Sequence, residues 1–390
     1  MTQLHGNTDM QAPPAPVAVI ILDSGFSPQV LGRVRNLLAY QDLNSGLSIV
    51  GQPIIGQDSQ ARQFIQSITQ DPLNHGSVIL ERLLDCDPDL PLILVRGFGP
   101  QGGLIRSRFE QGKLVADGWT EAYLWAQNIC AQKGYCSVAN FSFGGFHHTM
   151  DGKGWENFQL SKVVGAGKPG HLLAGAAGPG HGRAVHASLS LAPAESREVH
   201  AVQSGNATYN LLVDRLVPVD ASETKSNLRD FILEVCLDGR QLFTCRGLDL
   251  VPNLWNGKQQ LTFEVSAGQR SEVTFKLSLL EQVEHVEHVD GVAKFDLFIS
   301  REEGAYFKNC VDSELVCEPA LFDTVIAVGL KGASYGTCRV SGWQKPEILL
   351  EGSGPISFRT PEVTFALVKM LRLNPELDVP TAREGLMARV

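Results

Sequence analysis

The stretch Val17–Phe26 reads VAVIILDSGF. Six apolar residues run without interruption and stop on an aspartate, a serine and a glycine. A strand covered on one face alternates apolar with polar residues, whereas a continuous apolar run fits a strand covered on both faces, as in parallel sheets. Asp23-Ser24-Gly25 then falls at the carboxyl end of that strand, where open α/β sheets build their sites. Working outward, the apolar spacing predicts a helix over 29–40 (Val30, Val34, Leu37, Leu38), a strand over 47–55 and a helix over 59–69. It also predicts a helix over 75–84 (Val78, Ile79, Leu83), a strand over 90–95, a helix over 120–132 and a strand over 137–141. Alternating strands and helices are the signature of an α/β domain.

The character changes between about 184 and 300. YNLLVDRLVPV, DFILEVCLDG, QQLTFEVSAG, SEVTFKLSLLE and AKFDLFIS alternate in the strand period. Asp238-Gly239, Asn256-Gly257 and Asp290-Gly291 punctuate them as turns. This reads as an antiparallel β-sandwich or jelly roll. The buried-strand pattern returns at Asp323–Val328, and a long helix is expected over 355–373. The expected organisation is a disordered tail over 1–16, one α/β domain over 17–183 and 306–390, and an inserted β domain over 184–305.

The 390 residues carry a net charge of -9, with 43% hydrophobic and 19% charged residues. That balance fits a globular chain and argues against nucleic acid or an anionic membrane as a general partner. No apolar run reaches the ~18 residues of a membrane helix. MTQLHGNTDMQAPPAP has neither the basic nor the apolar region of a secretory signal. The 8 cysteines lack CxxC spacing, so reduced thiols in a cytoplasmic protein are expected. Cys130 with Cys136, and Cys310 with Cys317, are near enough in sequence to pair in an oxidising compartment.

Some motifs are decoys. Gly97-x-Gly99-x-x-Gly102 spells a dinucleotide fingerprint, but Pro100 interrupts it and no helical periodicity follows to present an N-terminus to a pyrophosphate. GAGKPG at 165–170 lacks the spacing and the hydroxyl residue of a phosphate loop. Glu284-His285-Val286-Glu287-His288 reads as a charged face rather than a metal site. Neither a cofactor nor a metal is expected.

The chemistry lies in residues scattered along the chain. Asp23 closes the first strand, His75 opens a helix in HGSVIL, and Ser357 stands at the start of the last long helix, ahead of Pro361. Carboxylate, imidazole and hydroxyl at element ends suit an orienting acid, a general base and a nucleophile. With these residues in this order, the chain resembles the subtilisin-like serine peptidases. VAVIILDSGF is similar to that family's strand ending in Asp-Ser/Thr-Gly, and HGSVIL to its His-Gly-Thr-His-Val. VANFSFGG resembles Asn-Met-Ser-Leu-Gly-Gly, KPEILLEGSG resembles Lys-Pro-Asp-Ile-x-Ala-Pro-Gly, and ISFRTPEVTFALVKML lies over the helix that carries the nucleophile. An inserted jelly roll between the oxyanion region and the nucleophile resembles the Csp subtilases.

The resemblance implies a parallel sheet flanked by helices and a triad of Asp23, His75 and Ser357. It also implies a substrate edge at Ser142, Phe143, Gly144 and Gly145 that walls the first specificity pocket. The expected activity is hydrolysis of a specific protein or peptide, with a regulatory protein partner acting through the β insertion. In AGAAGPGHG (174–182) the family's oxyanion asparagine is replaced by Pro179, which offers no donor, and His181 is the candidate substitute. Pro355-Ile356 replaces Gly-Thr before the nucleophile, and Phe358 and Arg359 replace small residues after it. The alternative reading is a catalytically impaired pseudoprotease that binds a partner peptide. Few residues precede the first strand, so either an intracellular protein folding without a propeptide or a chain beginning at a mature end is expected.

Overall fold

A computed structural model describes the chain except residues 1–13, 51–69, 100–102, 111–112, 147–149, 179–183, 216–230, 248–250, 253–258, 281–292, 302–303, 312–314, 334, 336–343 and 389–390. Of the expected tail, 1–13 therefore lie outside the described residues, as do the expected helix over 59–69 and the Glu284–His288 run.

β1 (Val17–Asp23) is buried at every position, as its unbroken apolar sequence requires of a strand covered on both faces. It is followed by the single-turn α1 (Pro28–Leu31), β2 (Leu37–Asp42) and β3 (Leu47–Val50). The helix expected over 29–40 is thus replaced by one helical turn and a strand. Leu37, Leu38, Ala39 and Tyr40 form a short continuous apolar run, and tertiary pairing with a buried strand overrides the accidental helical spacing with Val30 and Val34. Next come α2 (His75–Cys86), β4 (Leu92–Arg96), the small hairpin of β5 (Arg108–Glu110) and β6 (Lys113–Ala116), and α3 (Trp119–Lys133). β7 (Cys136–Phe141), α4 (Trp155–Leu160) and β8 (His171–Ala176) follow.

The chain then leaves this layer for β9 (His186–Leu191), β10 (Ser196–Arg215), β11 (Phe231–Leu237), β12 (Arg240–Arg246), β13 (Val251–Pro252), β14 (Gln259–Leu279), β15 (Ala293–Arg301) and β16 (Tyr306–Phe307). It returns as β17 (Ile326–Leu330) and β18 (Ile348–Leu350), and ends in α5 (Thr360–Leu373) and α6 (Val379–Met387).

The first sheet has the order β18-β17-β8-β7-β1-β4-β2-β3, parallel except for the β2–β3 hairpin. α2 and α5 pack on each other and on β1, while α3 packs on α4 and on β1. Because β8, β7 and β1 are neighbours and parallel, the segments after Ala176, Phe141 and Asp23 emerge side by side at one sheet end. The second sheet is antiparallel, in the order β12-β11-β14-β10-β15-β9, with β13 on β14 and β16 on β10. Asp238 and Gly239 adopt positive φ in the tight turn between β11 and β12, as the Asp-Gly signal predicts. QQLTFEVSAG and SEVTFKLSLLE, read as separate segments, belong to the single strand β14. Gly268 does not turn the chain. Instead the register against β10 shifts at Gln203/Gly205, and buried Gln203 fills the irregularity by donating to Val265 O (2.9 Å) and Gly205 O (3.0 Å).

Both sheets have their own apolar core. Where they meet, the Phe146 ring stacks on Phe298 (5.5 Å between centroids), which stacks on His186 (4.1 Å). His186 is itself bound to the buried Asp296 (3.0 Å). Ser300 Oγ donates to Phe146 O (2.5 Å), tying the antiparallel sheet to the loop after β7. Among the described residues no helix is long and apolar enough to cross a membrane. Cys130, Cys136, Cys310 and Cys317 are all free thiols, so neither of the pairs considered from sequence is formed.

Candidate active site

Asp23 ends β1 with a fully buried side chain, and its Oδ1 accepts from the Ser24 N–H at 2.7 Å. The same oxygen lies 2.7 Å from His75 Nδ1, on the first residue of α2. Asp23 Oδ2 has no partner among the described residues. α2 can approach this closely because its second residue is Gly76. A Cβ there would meet Gly25 O at 2.2 Å and Asp23 Cβ at 3.0 Å.

A second carboxylate braces the junction, and no motif announces it. Asp71 Oδ1 accepts from Ser24 Oγ (2.7 Å), while Oδ2 accepts from Ser77 N (2.8 Å) and Ser77 Oγ (2.6 Å). Ser24 Oγ accepts in turn from Gly76 N (3.1 Å), and Ser77 Oγ from Ser27 N (2.8 Å). The loop after β1 and the start of α2 are thereby held as one unit.

The imidazole is 25% exposed, and burial pushes its pKa down. The hydrogen bond and charge of Asp23, with the charge of Asp71, outweigh that effect and leave His75 above its ordinary 6.5. The Phe358 ring lies against the imidazole at 5.2 Å between centroids, and the Arg82 guanidinium covers Phe358. Phe358 therefore covers one side of an imidazole that stays partly open to solvent.

Ser357 does not begin the long helix. It stands in a 3₁₀ turn, Ile356–Phe358, just before α5. The first hydrogen bond of that turn runs from Phe358 N to Pro355 O, which leaves the Ser357 amide at its open N-terminal end. The turn is fixed from below by a buried relay. Thr364 Oγ1 donates to Asn140 Oδ1 (2.9 Å), Asn140 Nδ2 to Ser142 Oγ (2.9 Å), and Ser142 Oγ to Ser357 O (2.7 Å). Arg359 closes the turn from outside, donating to Glu351 O (3.0 Å) while forming an ion pair with Glu362. Among the described residues no hydrogen bond joins His75 to Ser357; catalytic bonds are commonly long before substrate binds.

Ser142, Phe143, Gly144 and Gly145 leave β7 and line one side of a cleft of ≈ 560 Å³. Ala176 and Gly178 line another side, Gly354–Ser357 the third, and Val185, Ile299 and Ser300 close it from the antiparallel sheet. Pro179 and His181 lie outside the described residues, as do His147 and His148. Gly97 and Gly99 follow β4 without starting a helix. Gly99 N bonds Gly103 O at 2.7 Å, and Gly102 lies outside the described residues. Among the described residues no His/Cys/Asp/Glu cluster has the geometry to hold a metal ion.

Beneath the cleft sits Glu318, which sequence reasoning missed. Burial, reinforced by the charges of Glu156 and Asp151, pushes its carboxyl well above the usual carboxylate range against the pull of Arg106 and the Met150 backbone.

No family model matches the chain, and no curated protein matches it. Among solved structures it is similar to the CspB protease of Clostridium perfringens, with a TM-score of 0.67, 12% identity, and coverage of 97% of this chain and 87% of that one. The likeness establishes a shared fold. A family 35 carbohydrate-binding module from an environmental isolate aligns over 34% of this chain and 83% of its own, with 15% identity. Its TM-score of 0.18 is too low to support any comparison.

Proposed function

We propose that the chain is a subtilisin-like serine endopeptidase that hydrolyses a specific protein or peptide. The carrying observation is the 2.7 Å bond between buried Asp23 and His75, one aromatic ring away from the turn that bears Ser357. In this reading His75 takes the Ser357 proton as the hydroxyl oxygen attacks the scissile carbonyl. Asp23 holds the imidazole in the tautomer that leaves the other nitrogen free, and stabilises the imidazolium that forms. His75 then gives the proton to the departing amine, and water releases the acyl group by the same steps in reverse. The Ser357 N–H at the open end of its turn supplies one donor to the developing oxyanion. The substrate backbone lies along Ser142–Gly145. The antiparallel insertion, read as a jelly roll over 184–305, restricts what enters the cleft and offers a surface to a regulatory protein. A cytoplasmic site of action belongs to the same reading.

A second reading, a pseudoprotease holding a partner peptide on the same edge, is favoured by Pro179 in place of an asparagine donor. Turnover of a fluorogenic peptide library separates the two. The enzyme reading expects hydrolysis that disappears in Ser357→Ala, and a gain of about 10²–10³ in rate for Pro179→Asn if the missing donor limits the reaction. Hydrolysis equal in wild type and Ser357→Ala would exclude Ser357 as the nucleophile. Silence in wild type and Pro179→Asn, with peptide binding retained, would establish the second reading.

A further inference from the structure

Between two edges of the cleft lies a buried thiol. Gly144 and Gly178 face each other across the slot between the edge after β7 and the edge after β8. A Cβ on Gly144 would come within 2.1 Å of Cys317 Sγ, and a Cβ on Gly178 within 3.1 Å of the same sulfur. One sulfur atom therefore lies against both edges. Cys317 is 3% exposed and lines the cleft, so the sulfur is its floor.

That floor is anchored on both sides. Cys317 N donates to Ala177 O (3.0 Å), and Cys317 Sγ to Ala176 O (3.3 Å). On the other side Glu318 N donates to Gly145 O (3.1 Å) and Gly145 N to Glu318 O (3.0 Å). Moving Cys317 aside would break hydrogen bonds to both edges of the slot, so an incoming side chain meets a fixed wall. Burial pushes the thiol up to about 12, which keeps it neutral and makes it an apolar floor rather than a reactive group.

We propose that Cys317 makes this chain cleave after small residues, glycine, alanine or serine, and excludes leucine, phenylalanine and other large side chains from the position before the scissile bond. This rests on the peptidase reading and on the substrate lying along Ser142–Gly145. A methylene more or less in a closed apolar slot changes specificity by about 10–200-fold.

The test is kcat/KM for a peptide series varied only at the residue before the cleaved bond, measured on wild type, Cys317→Ser, Cys317→Ala and Cys317→Gly, with circular dichroism confirming that each variant folds. Wild type is expected to favour alanine over phenylalanine and leucine by at least about 10-fold. Cys317→Ser, the nearest in shape, should keep most of that ratio; Cys317→Ala should narrow it, and Cys317→Gly should erase or reverse it. Hydrolysis by wild type with phenylalanine or leucine preferred overturns this inference and leaves the peptidase reading standing. An unchanged ratio in folded Cys317→Gly does the same. Absence of hydrolysis of every peptide by all four proteins overturns both.

Discussion

His75 is under opposed influences, and their balance fixes the pH at which it can act as a base. Burial lowers its affinity for a proton, while the Asp23 bond and the Asp71 charge raise it, with a net shift above 6.5. A base must be neutral, so activity is lost as pH falls through the raised value, and the acid limb of kcat/KM is expected above 6.5. Asp23→Asn removes the main raising influence and the tautomer control. It should move that limb downward and lower kcat by about 10³–10⁴, as measured by a pH–rate profile. An unmoved limb would show that another group controls it. The places of Asp23 and His75 were legible in the sequence because they end and open strongly patterned elements, whereas Ser357, expected to start the last helix, lies in the 3₁₀ turn before it. Asp71 was not, because its partner Ser24 lies 47 residues away along the chain and reaches it only after β1 and α2 have docked. Cys317 was legible only as a thiol, since what matters is its position between two glycines.

At the scale of elements, the loop after β1 is only as rigid as its bonds to α2. Asp71 accepts two hydroxyl bonds and one backbone bond there, all within 2.8 Å. Asp71→Asn turns one acceptor into a donor facing Ser24 or Ser77. It should cost about 1–3 kcal/mol of stability, measurable as a lower urea midpoint, and should bring the His75 acid limb down through loss of its charge. A midpoint equal to wild type would show that the bracing is dispensable. Long buried runs were the most readable elements: β1, β4, β7 and α3 fall within a few residues of their expected bounds. The misread segments share a cause, because tertiary partners decided them. Leu37–Tyr40 pairs with β4 and becomes a strand, β14 continues past Ala267-Gly268 because Gln203 fills the irregularity opposite it, and Ser357 is drawn into a 3₁₀ turn by the Asn140–Ser142 relay.

The two large sheets of the molecule meet across a seam, with the cleft at their junction. The Phe146–Phe298–His186 stack and the Ser300 bond fix the antiparallel sheet to the loop after β7, so that sheet is part of the cleft wall. Beneath the seam, Glu318 ties pH to global stability. Its folded-state pKa lies above 4.5, so the protein binds this proton more tightly than the unfolded chain does. The stability from that proton is fully present below 4.5 and drains as pH rises toward the folded value. Glu318→Gln keeps the shape without the titration. Relative to wild type it should gain stability on the order of 1 kcal/mol per pH unit over that window, read from urea unfolding at acid and neutral pH. A difference independent of pH would mean that Glu318 does not titrate as its burial demands.

The central claim, that Asp23, His75 and Ser357 act as one nucleophilic unit, is tested most directly by the rate of phosphonylation with a fluorophosphonate probe as a function of pH, with the adduct mapped by peptide mass spectrometry. Modification is expected on Ser357, at a rate that rises with pH through a single ionisation above 6.5, with labelling lost in Ser357→Ala and His75→Ala. Labelling on another residue, a rate indifferent to His75, or no labelling of the folded protein would contradict it.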